Sequence, residues 1–388
     1  MRVLLVHSFY RQYGGEDRVF EQERKLLIQN GIEVFEYTYH NSEISFFDLP
    51  LLTKNMIFNR KTYNEVREVV KEKKINIVHC HNIFPYISPS VYIAAQESGA
   101  KVIQTLHNYR LICANATFFD YKKKKICTKC LDKGIGATFY TICSNNWIRN
   151  IAIALANMIN YKKNVFDYVD KLIALTSFAR DLFIKFGIPY SKIAVKPNFI
   201  FVDEINPVCT KENYIIFVGR LSYEKGIMLL LEAMKQIERK ITLLVVGDGP
   251  LRQDVINFIE KNRLNNIKYL GAQKRDKVLE LISKAKLLIF PSIWFEGFPM
   301  TILEAFSVGT PVLANNLGGV SEIVKEGVNG YLFDFSEQNL PDVILKVLDN
   351  LEKNGMEESE GNKVYIEDRY ISTKNWDIIE KIYTEVLK

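Results

Sequence analysis

Short apolar segments alternate with helical patterns along almost the whole chain, and this alternation restricts the fold more than any other feature. The segments are VLLVHSF, NIVHC, KVIQTL and KLIAL in the first half, and TLLVVG, IKYLG, KLLIFP and PVLAN in the second. Strands that alternate with helices form parallel sheets with helices on both faces. The sequence therefore predicts an α/β fold built from doubly wound sheets.

The same opening occurs twice, and this repetition indicates two domains. The chain starts with a strand, a loop that contains Gly14 and Gly15, and a helix predicted over residues 17–29 and ended by an Asn-Gly pair. Much later, YIIFVGRLSYEKGIMLLLEAMKQI repeats this order, with a strand over residues 214–218. We expect two Rossmann-like units, with ligands bound in a cleft beyond the carboxyl ends of their strands.

The domain boundaries follow from where this alternation stops. We predict an N-terminal domain over residues 1–196, with a cysteine-containing and otherwise loop-like insertion at about 110–160. The segment KPNFIFVDEINPVCTKEN contains two prolines and no clean period, so it is the expected linker. A second domain then covers residues 197–365. A helical segment over 366–388 could pack back on the N-terminal domain or on its neighbour.

Composition excludes several classes of protein. A chain of 388 residues with 48% hydrophobic residues is long enough for two cores, and Lys plus Arg exceed Asp plus Glu by only 51 − 45 = 6. This mild excess favours phosphate-bearing or anionic partners without requiring nucleic acid. The start MRVLLVHSFY is too short for a signal peptide, and no uncharged apolar run reaches roughly 18 residues. We therefore expect a cytoplasmic chain without a membrane span.

The segment FEGFPMTILE carries the clearest chemistry in the chain. Glu296 and Glu304 stand eight residues apart across a glycine-proline turn that opens a helix. Bare amide N–H groups at a helix start suit a phosphate, and carboxylates suit the hydroxyls of a sugar. This combination indicates a pocket for a nucleotide sugar.

Longer segments resemble a known family. GRLSYEKG, VVGDGPL, FPSIWFEGFPMTILEAFSVGTPVLANNLGGVSEIV and GYLF are similar to the C-terminal half of retaining glycosyltransferases of family 4, which have the two-domain GT-B fold. In the first half the similarity is confined to the Gly14-Gly15 loop, TLHN around His107, LTSFARDLF and KPN. The resemblance implies two Rossmann-like domains that face each other across a cleft. It also implies transfer of a sugar from a nucleotide diphosphate, with UDP or GDP left open.

The resemblance also assigns donor-binding residues. It implies that Glu296 contacts the hydroxyls of the donor sugar and that Glu304 contacts the ribose. Such charge-assisted hydrogen bonds contribute roughly 1.5–3 kcal/mol each. The donor is expected against the turn and helix opening formed by Gly297, Phe298, Pro299, Met300 and Thr301.

Two cations in the loop of the second domain are implied to hold the diphosphate. Arg220 and Lys225 lie five positions apart, and the loop closes at Gly226. Cations placed there in advance would stabilise the charge that builds up on a departing nucleoside diphosphate. The chain contains no Asp-x-Asp triplet. We therefore expect the two cations in place of a catalytic metal.

On the acceptor side, His107 follows the strand VIQTL, and the family has a histidine in the comparable place near the reacting centre. His79 and His81 also end a strand and are weaker candidates for substrate contact. Gly14 and Gly15 fit either a loop that covers the diphosphate or acceptor, or an ordinary tight turn. Double displacement needs a second carboxylate as nucleophile, and the sequence offers none to nominate. Front-face attack by the acceptor hydroxyl is the preferred mechanism.

Four cysteines in the insertion need a local explanation. Cys113, Cys127, Cys130 and Cys143 have spacings of 14, 3 and 13. The central C-x-x-C is typical of a tetrahedral zinc site, and four thiolates would make that zinc structural rather than catalytic. Unlinked thiols and disulfides are the alternatives.

The same insertion mixes cations with aromatic and aliphatic residues. Lys122 to Lys125, Trp147, Arg149 and the run IAIALANMINYKKN could rest on anionic lipid and receive a lipid-linked glycan acceptor, or form a core-packed helix with solvated lysines.

The leading hypothesis is a glycosyltransferase in bacterial surface polysaccharide assembly, cytoplasmic or peripheral on the inner face of the membrane. A dehydrogenase is disfavoured because G-x-G-x-x-G is missing. A nucleic-acid-binding module that uses the four cysteines and the lysines is the other alternative.

Overall fold

The chain forms two compact units. The computed structural model describes residues 1–10, 13–41, 49–141, 143, 146–201, 210–354 and 366–388. The first unit consists of Met1–Lys122, Cys127–Asn198 and Ser372–Lys388, and the second of Lys123–Ile126 and Phe199–Ile371. Residues 202–209 of the predicted linker lie outside the described residues.

Fourteen strands lie within the described residues. They are β1 Arg2–Phe9, β2 Glu33–His40, β3 Ile77–Cys80, β4 Lys101–Leu106, β5 Phe119–Asp120, β6 Lys125–Ile126, β7 Lys171–Ala174, β8 Ile193–Val195, β9 Tyr214–Val218, β10 Thr242–Val246, β11 Ile267–Gly271, β12 Leu287–Phe290, β13 Val312–Asn315 and β14 Gly330–Phe333.

Thirteen α-helices lie in the same ranges. They are α1 Gly15–Gln29, α2 Leu49–Ile57, α3 Arg60–Glu72, α4 Ser90–Glu97, α5 Lys129–Lys133, α6 Trp147–Lys162, α7 Ser177–Phe186, α8 Ile227–Lys235, α9 Arg252–Lys261, α10 Arg275–Lys284, α11 Met300–Ser307, α12 Leu340–Asn354 and α13 Ser372–Leu387.

Each unit is built on one parallel six-stranded sheet, with the order β2-β1-β3-β4-β7-β8 in the first and β11-β10-β9-β12-β13-β14 in the second. In both sheets the chain moves outward from a central strand to one edge and then returns to fill the other side. The direction reverses between β1 and β3, and between β9 and β12. Ligands of open α/β sheets bind beyond the carboxyl ends of the strands at such reversal points.

The helix that follows β1 shows how local sequence defines an element. Helix α1 ends where Asn30 takes the C-cap position and Gly31 adopts a φ of +77°, a backbone conformation that glycine tolerates best. The predicted helix over residues 17–29 is confirmed. It begins two residues earlier than expected, at Gly15.

The core of the second unit joins its sheet to helices α8 and α12. Ile215, Leu230, Leu243, Leu287 and Ile344 are all fully buried in this cluster. Burial of each such side chain contributes about 1.5–3 kcal/mol relative to exposure. The core therefore fixes the strand ends that carry polar residues.

The last helix, α13, belongs to the first unit. Asn375, Ile379, Ile382 and Tyr383 are buried at helical spacing along one of its faces. The Tyr383 hydroxyl lies 2.7 Å from Nδ1 of His79, and Asn375 Nδ2 donates to the carbonyl of Pro197. This helix is therefore part of the first core.

The insertion between β4 and β7 is more helical than the sequence suggested, because it contains α5 and the sixteen-residue α6. One face of α6 buries Ala152, Ile153, Ala154 and Ala156, and the run IAIALANMINYKKN was expected to be helical in one of its two alternatives. Among the described residues, no helix is both long and apolar enough to cross a bilayer.

Candidate functional site

A buried carboxylate, a lysine and a serine meet just beyond β12, at the reversal point of the second sheet. Lys225 Nζ lies 2.8 and 3.0 Å from the two carboxylate oxygens of Glu296, and Ser292 Oγ donates to Oε1 at 2.6 Å. Glu296 is only 5% exposed. A carboxylate so deprived of water needs such partners, so Lys225 neutralises it before any ligand arrives.

The loop that carries Lys225 is held against β12 by Gly226. This glycine has a φ of +72°, and a Cβ added to it would lie 1.9 Å from the carbonyl oxygen of Pro291. Any side chain would therefore push the loop away from Pro291. The amide of Ile293 donates to the carbonyl of Glu224 and strengthens the same junction. The close approach brings Lys225 within reach of Glu296.

Buried partners of this junction were not predicted. Ser222 Oγ donates to Glu224 Oε1 at 2.7 Å, and both residues are buried. Ser292 contacts Glu296 directly. No motif of a known role singles out these serines, and only the folded loops bring them to the carboxylates.

Arg220 follows β9 and is exposed. Within the described ranges its guanidinium has no ion-pair partner. Its position is fixed by the backbone, since Leu221 N donates to the carbonyl of Asp248 and Gly219 N donates to that of Val246. Gly247, with a φ of +140°, permits the close approach, because a Cβ there would meet the Gly219 oxygen at 1.9 Å. The two predicted diphosphate cations thus differ: Arg220 is available to an anion, whereas Lys225 is engaged by Glu296.

Helix α11 begins at Met300, directly after the Gly297-Phe298-Pro299 turn. It has no side-chain cap and no acidic residue in its first turn. The first amides of a helix have no intrahelical acceptor, so this start can accept an anion. Thr301 lies in the same turn, as predicted from the sequence.

Glu304 lies in the middle of α11 and is buried. Nε of Arg275, the first residue of α10, is 4.0 Å from its Oε1. Arg275 belongs to the segment QKRDKV that follows Gly271. The structure adds this arginine to the surroundings of the second glutamate.

A second polar cluster lies at the reversal point of the first sheet. His7 Nε2, near the end of β1, is 2.8 Å from Asp17 Oδ1, and both side chains are fully buried. Asp17 Oδ2 accepts a hydrogen bond from the amide of Gly14 at 2.8 Å. Asp17 therefore connects β1 to the glycine loop, a role that could not be read from the sequence.

The backbone of the glycine loop does not require glycine for its φ angles. Gly14 has an extended φ of −134° and Gly15 opens α1, so neither has a positive φ. A Cβ on Gly15 would meet nothing within 4 Å, which leaves open space beside the loop. The loop also reaches the His107 segment, because Glu16 Oε1 accepts a hydrogen bond from Asn108 Nδ2 at 3.0 Å.

His79, His81 and His107 are buried at the carboxyl ends of β3 and β4. His79 is satisfied on both ring nitrogens by Tyr383 and Thr105. Burial lowers the pKa of His107 to about 4 and holds the pKa of His79 and of His81 well below the ordinary value. All three imidazoles are neutral at pH 7.

The four cysteines of the insertion lie in one region as free thiols, so the disulfide alternative is not adopted. Asn115 connects two of them, because its Oδ1 is 3.0 Å from Cys113 Sγ and its Nδ2 is 3.3 Å from Cys143 Sγ. A hydrogen bond from Cys113 lowers the pKa of Cys130 to about 6. In the ranges described above, no group of three or more His, Cys, Asp or Glu side chains could hold a metal ion. Zinc stays a prediction.

Metal analysis tests that prediction. The zinc prediction requires about one equivalent of zinc in protein purified without chelator, because the four thiolates must close into a tetrahedral shell around the metal. A Cys127→Ser/Cys130→Ser variant should lose the metal, whereas Cys209→Ser, outside the predicted ligand set, should keep it. Less than about half an equivalent in the unmodified protein would contradict the zinc site.

A cavity of about 400 Å³ in the second unit lies at the opposite end of its sheet from Glu296. Tyr214 and Thr242, with which β9 and β10 begin, are part of its lining. Its volume falls in the range of small-molecule sites. Because open α/β sheets bind ligands at the carboxyl ends of strands, the cavity does not compete with the Lys225–Glu296 cluster as a donor site.

Two doubly wound sheets, one in each unit, are the architecture of the GT-B fold. Residues 13–204 match the family model described as Glycosyltransferase Family 4, and residues 200–363 match the model described as Glycosyl transferases group 1. The chain belongs to glycosyltransferase family 4.

Relatives and solved structures are consistent with this membership. An uncharacterized glycosyltransferase of Methanocaldococcus jannaschii is 37% identical over 36% of this chain and 39% of its own length, so that alignment spans well under two-thirds of the relative. The UDP-Gal:alpha-D-GlcNAc-diphosphoundecaprenol alpha-1,3-galactosyltransferase of Escherichia coli is 26% identical over 90% of this chain and 86% of its own. The crystal structure of Anabaena HepE in complex with UDP is 18% identical, has a TM-score of 0.66, and covers 99% of this chain and 100% of its own.

Proposed function

We propose that this protein is a retaining glycosyltransferase that moves a sugar from a UDP-sugar to a glycan hydroxyl in cell-surface polysaccharide assembly. The observation that carries the proposal is the Lys225–Glu296–Ser292 cluster at the reversal point of the second sheet, beside the uncapped start of α11. Family membership favours this function over the dehydrogenase and nucleic-acid alternatives.

The donor is held by its charges. The exposed guanidinium of Arg220 and the first amides of α11 bind the diphosphate, and Glu304 accepts hydrogen bonds from the ribose hydroxyls. Glu296 accepts hydrogen bonds from hydroxyls of the sugar, and Lys225 orients that carboxylate. UDP is proposed as the nucleotide because the E. coli relative is named for UDP-Gal and the Anabaena structure contains UDP.

Transfer proceeds on one face of the sugar without a catalytic metal. The acceptor oxygen forms a bond to the anomeric carbon on the side from which the diphosphate oxygen departs, so the configuration is retained. The proton of the attacking hydroxyl passes to the departing phosphate oxygen. Arg220 and the first amides of α11 stabilise the negative charge that develops there, which lowers the barrier because they are positioned in advance.

A donor screen tests this proposal. Thermal shift with UDP, GDP, ADP and their sugars should give stabilisation with UDP and at least one UDP-sugar, in buffer that contains EDTA. NMR of the slowly hydrolysed or transferred sugar should show a product with the donor's anomeric configuration. Stabilisation by GDP alone would show that the donor base is guanine and not uracil. A product with inverted anomeric configuration would reject the retaining mechanism. No response to any nucleotide would reject the function.

The acceptor is proposed to be lipid-linked, and α6 carries the surface that supports this. Large apolar side chains are exposed along α6 and on the adjoining segment at the end of the 3-10 helix Ile135–Phe139, which packs on α6. These are Phe139, Tyr140, Trp147, Ile148, Leu155 and Met158. Exposed cations accompany them, namely Lys129, Lys133, Arg149, Lys162 and Lys163. Apolar residues flanked by cations suit the surface of an anionic bilayer.

Vesicle flotation tests this surface. The protein is expected to float with phosphatidylglycerol vesicles at low salt, and Ile148→Ser/Leu155→Ser should reduce binding by about tenfold or more, since each apolar side chain contributes roughly 1.5–3 kcal/mol. Ile28→Ser, which alters an exposed isoleucine on α1, is the matched control and should bind normally. Absence of flotation by the unmodified protein at low salt would remove the membrane proposal.

A further inference from the structure

His81 and His107 form a buried pair whose hydrogen bond has only two possible arrangements. Nδ1 of His81 lies 2.9 Å from Nε2 of His107, and the side chains are 3% and 8% exposed. Because both rings are neutral at pH 7, each carries one N–H and one bare nitrogen. Either His81 donates from Nδ1, which leaves the His107 proton on Nδ1, or His107 donates from Nε2, which moves the His81 proton to its own Nε2.

The far nitrogen of His81 distinguishes the two arrangements. Its Nε2 is buried and has no hydrogen-bond partner in the described part of the chain. If His107 donated, a buried N–H of His81 would be left without an acceptor, at a cost of about 1–3 kcal/mol. If His81 donates, only a lone pair remains there, and orphaned acceptors are tolerated more often than orphaned donors.

Charges around His107 favour the same arrangement. After burial itself, Glu16 has the largest influence on the pKa of this imidazole and raises it; His7 and Lys196 oppose Glu16, and Asp17 acts with it. Negative charge beside a ring stabilises a hydrogen on its open edge. In the arrangement where His81 donates, that hydrogen is on Nδ1 of His107, which is not among the fully buried side-chain atoms that lack a partner in the described residues.

His81 is itself held firmly. Its amide donates to the carbonyl of Val6 at 2.9 Å, and its carbonyl accepts from Nε2 of Gln104 at 2.7 Å. Its ring packs 4.6 Å from that of His79 and edge-on to Phe20 at 5.5 Å. A ring anchored on β1, β4 and α1 can orient a neighbour because it has little freedom of its own.

We propose that His81 is a positioning residue that locks His107 in the tautomer with its proton on Nδ1. His107 then offers an N–H donor, and not a lone pair, to an oxygen of a bound substrate. The meaning for catalysis rests on the proposed function, whereas the tautomer itself is a property of the unliganded first unit.

Imidazole ¹H–¹⁵N correlation NMR of the full-length protein tests the tautomer directly. The chain has five histidines, so each can be assigned by single substitution. We expect the proton on Nδ1 of both His81 and His107 at pH 7. A proton on Nε2 of His107 would overturn the proposal, whether or not the protein binds any nucleotide.

Two substitutions then separate positioning from packing. His81→Asn retains an N–H that can take the place of Nδ1, so the His107 spectrum should be preserved and kcat should stay within a few-fold of normal. His81→Leu removes the donor, so the His107 tautomer should become mixed and kcat with the UDP-sugar should fall about tenfold. The affinity for UDP itself should be the same in both variants, because the lost hydrogen bond from His107 involves the sugar and not the nucleotide.

Controls keep the outcomes distinct. His40→Asn changes an exposed histidine on β2 and should leave the His107 spectrum unchanged. Far-UV circular dichroism identifies any variant that fails to fold, and the tautomer of the unmodified protein then remains decisive. Equal loss of kcat in folded His81→Asn and His81→Leu, with the His107 tautomer preserved in both, would overturn the positioning role. Failure of the unmodified protein to bind any nucleotide would reject the proposed function alone.

Discussion

Glu296→Gln is expected to lower turnover by about 10²–10³-fold while the protein still folds and binds UDP. The amide keeps the size of the carboxylate but removes its charge, so the ion pair with Lys225 is lost and one face of the group becomes a donor. A sugar hydroxyl then meets a weaker and partly mismatched acceptor. Initial rates with a UDP-sugar, together with the thermal shift caused by UDP, measure the two effects separately.

Glu260→Gln is the matched control for that variant. Glu260 is an exposed residue of α9 in the same unit, so the same chemical change there should leave turnover unaltered. Turnover of Glu296→Gln within about threefold of normal would remove Glu296 from the proposed catalytic machinery. Loss of the UDP thermal shift would instead show that the substitution damages the nucleotide site.

Lys196→Met is expected to lower the free energy of unfolding of the first unit by about 3–5 kcal/mol. Lys196 follows β8 and is 4% exposed, and its Nζ lies 2.7 Å from Oε2 of Glu23 on α1, which is 1% exposed. Without the lysine, the buried carboxyl group of Glu23 loses the cation with which it is paired. Native-state hydrogen exchange of peptides from β1 and β3 measures the loss within this unit.

The double substitution Glu23→Leu/Lys196→Met is the informative comparison. It removes both charges and replaces them with apolar side chains, so it should be markedly more stable than Lys196→Met alone. If the single and double variants lose equal stability, the unpaired carboxylate is not the cause. A loss below about 1 kcal/mol in the single variant would class the pair with ordinary surface ion pairs.

Strands and helices that depend on local pattern were predictable from the sequence. KVIQTL becomes β4 and IKYLG becomes β11 without any change of bounds, because an apolar run between turn residues has few other conformations. The Asn30-Gly31 end of α1 was equally readable, since Gly31 takes the positive φ that ends a helix. Helix α6 of the insertion was less predictable from the sequence, because the turns around the cysteines obscured it.

The surroundings of the candidate site were only partly predictable. Lys225 and Glu296 were singled out from their motifs, but the ion pair between them was not predictable, because it forms only when the two loops are folded together. This ion pair engages a cation that was expected to be available for the diphosphate. Asp17 gained a role only when β1 and α1 were packed, because its partner His7 lies on another element. Contacts of this kind depend on tertiary packing, which periodicity and spacing do not encode.

The placement of α13 also sets the order in which the molecule can be completed during synthesis. The hydrogen bond between His79 and Tyr383 joins residues 304 positions apart. Domains commonly fold as they emerge from the ribosome, the earliest first. Here the first unit cannot complete its core until α13 has been translated, and until then the surface that packs against α13 stays uncovered. The second unit is translated in full before α13.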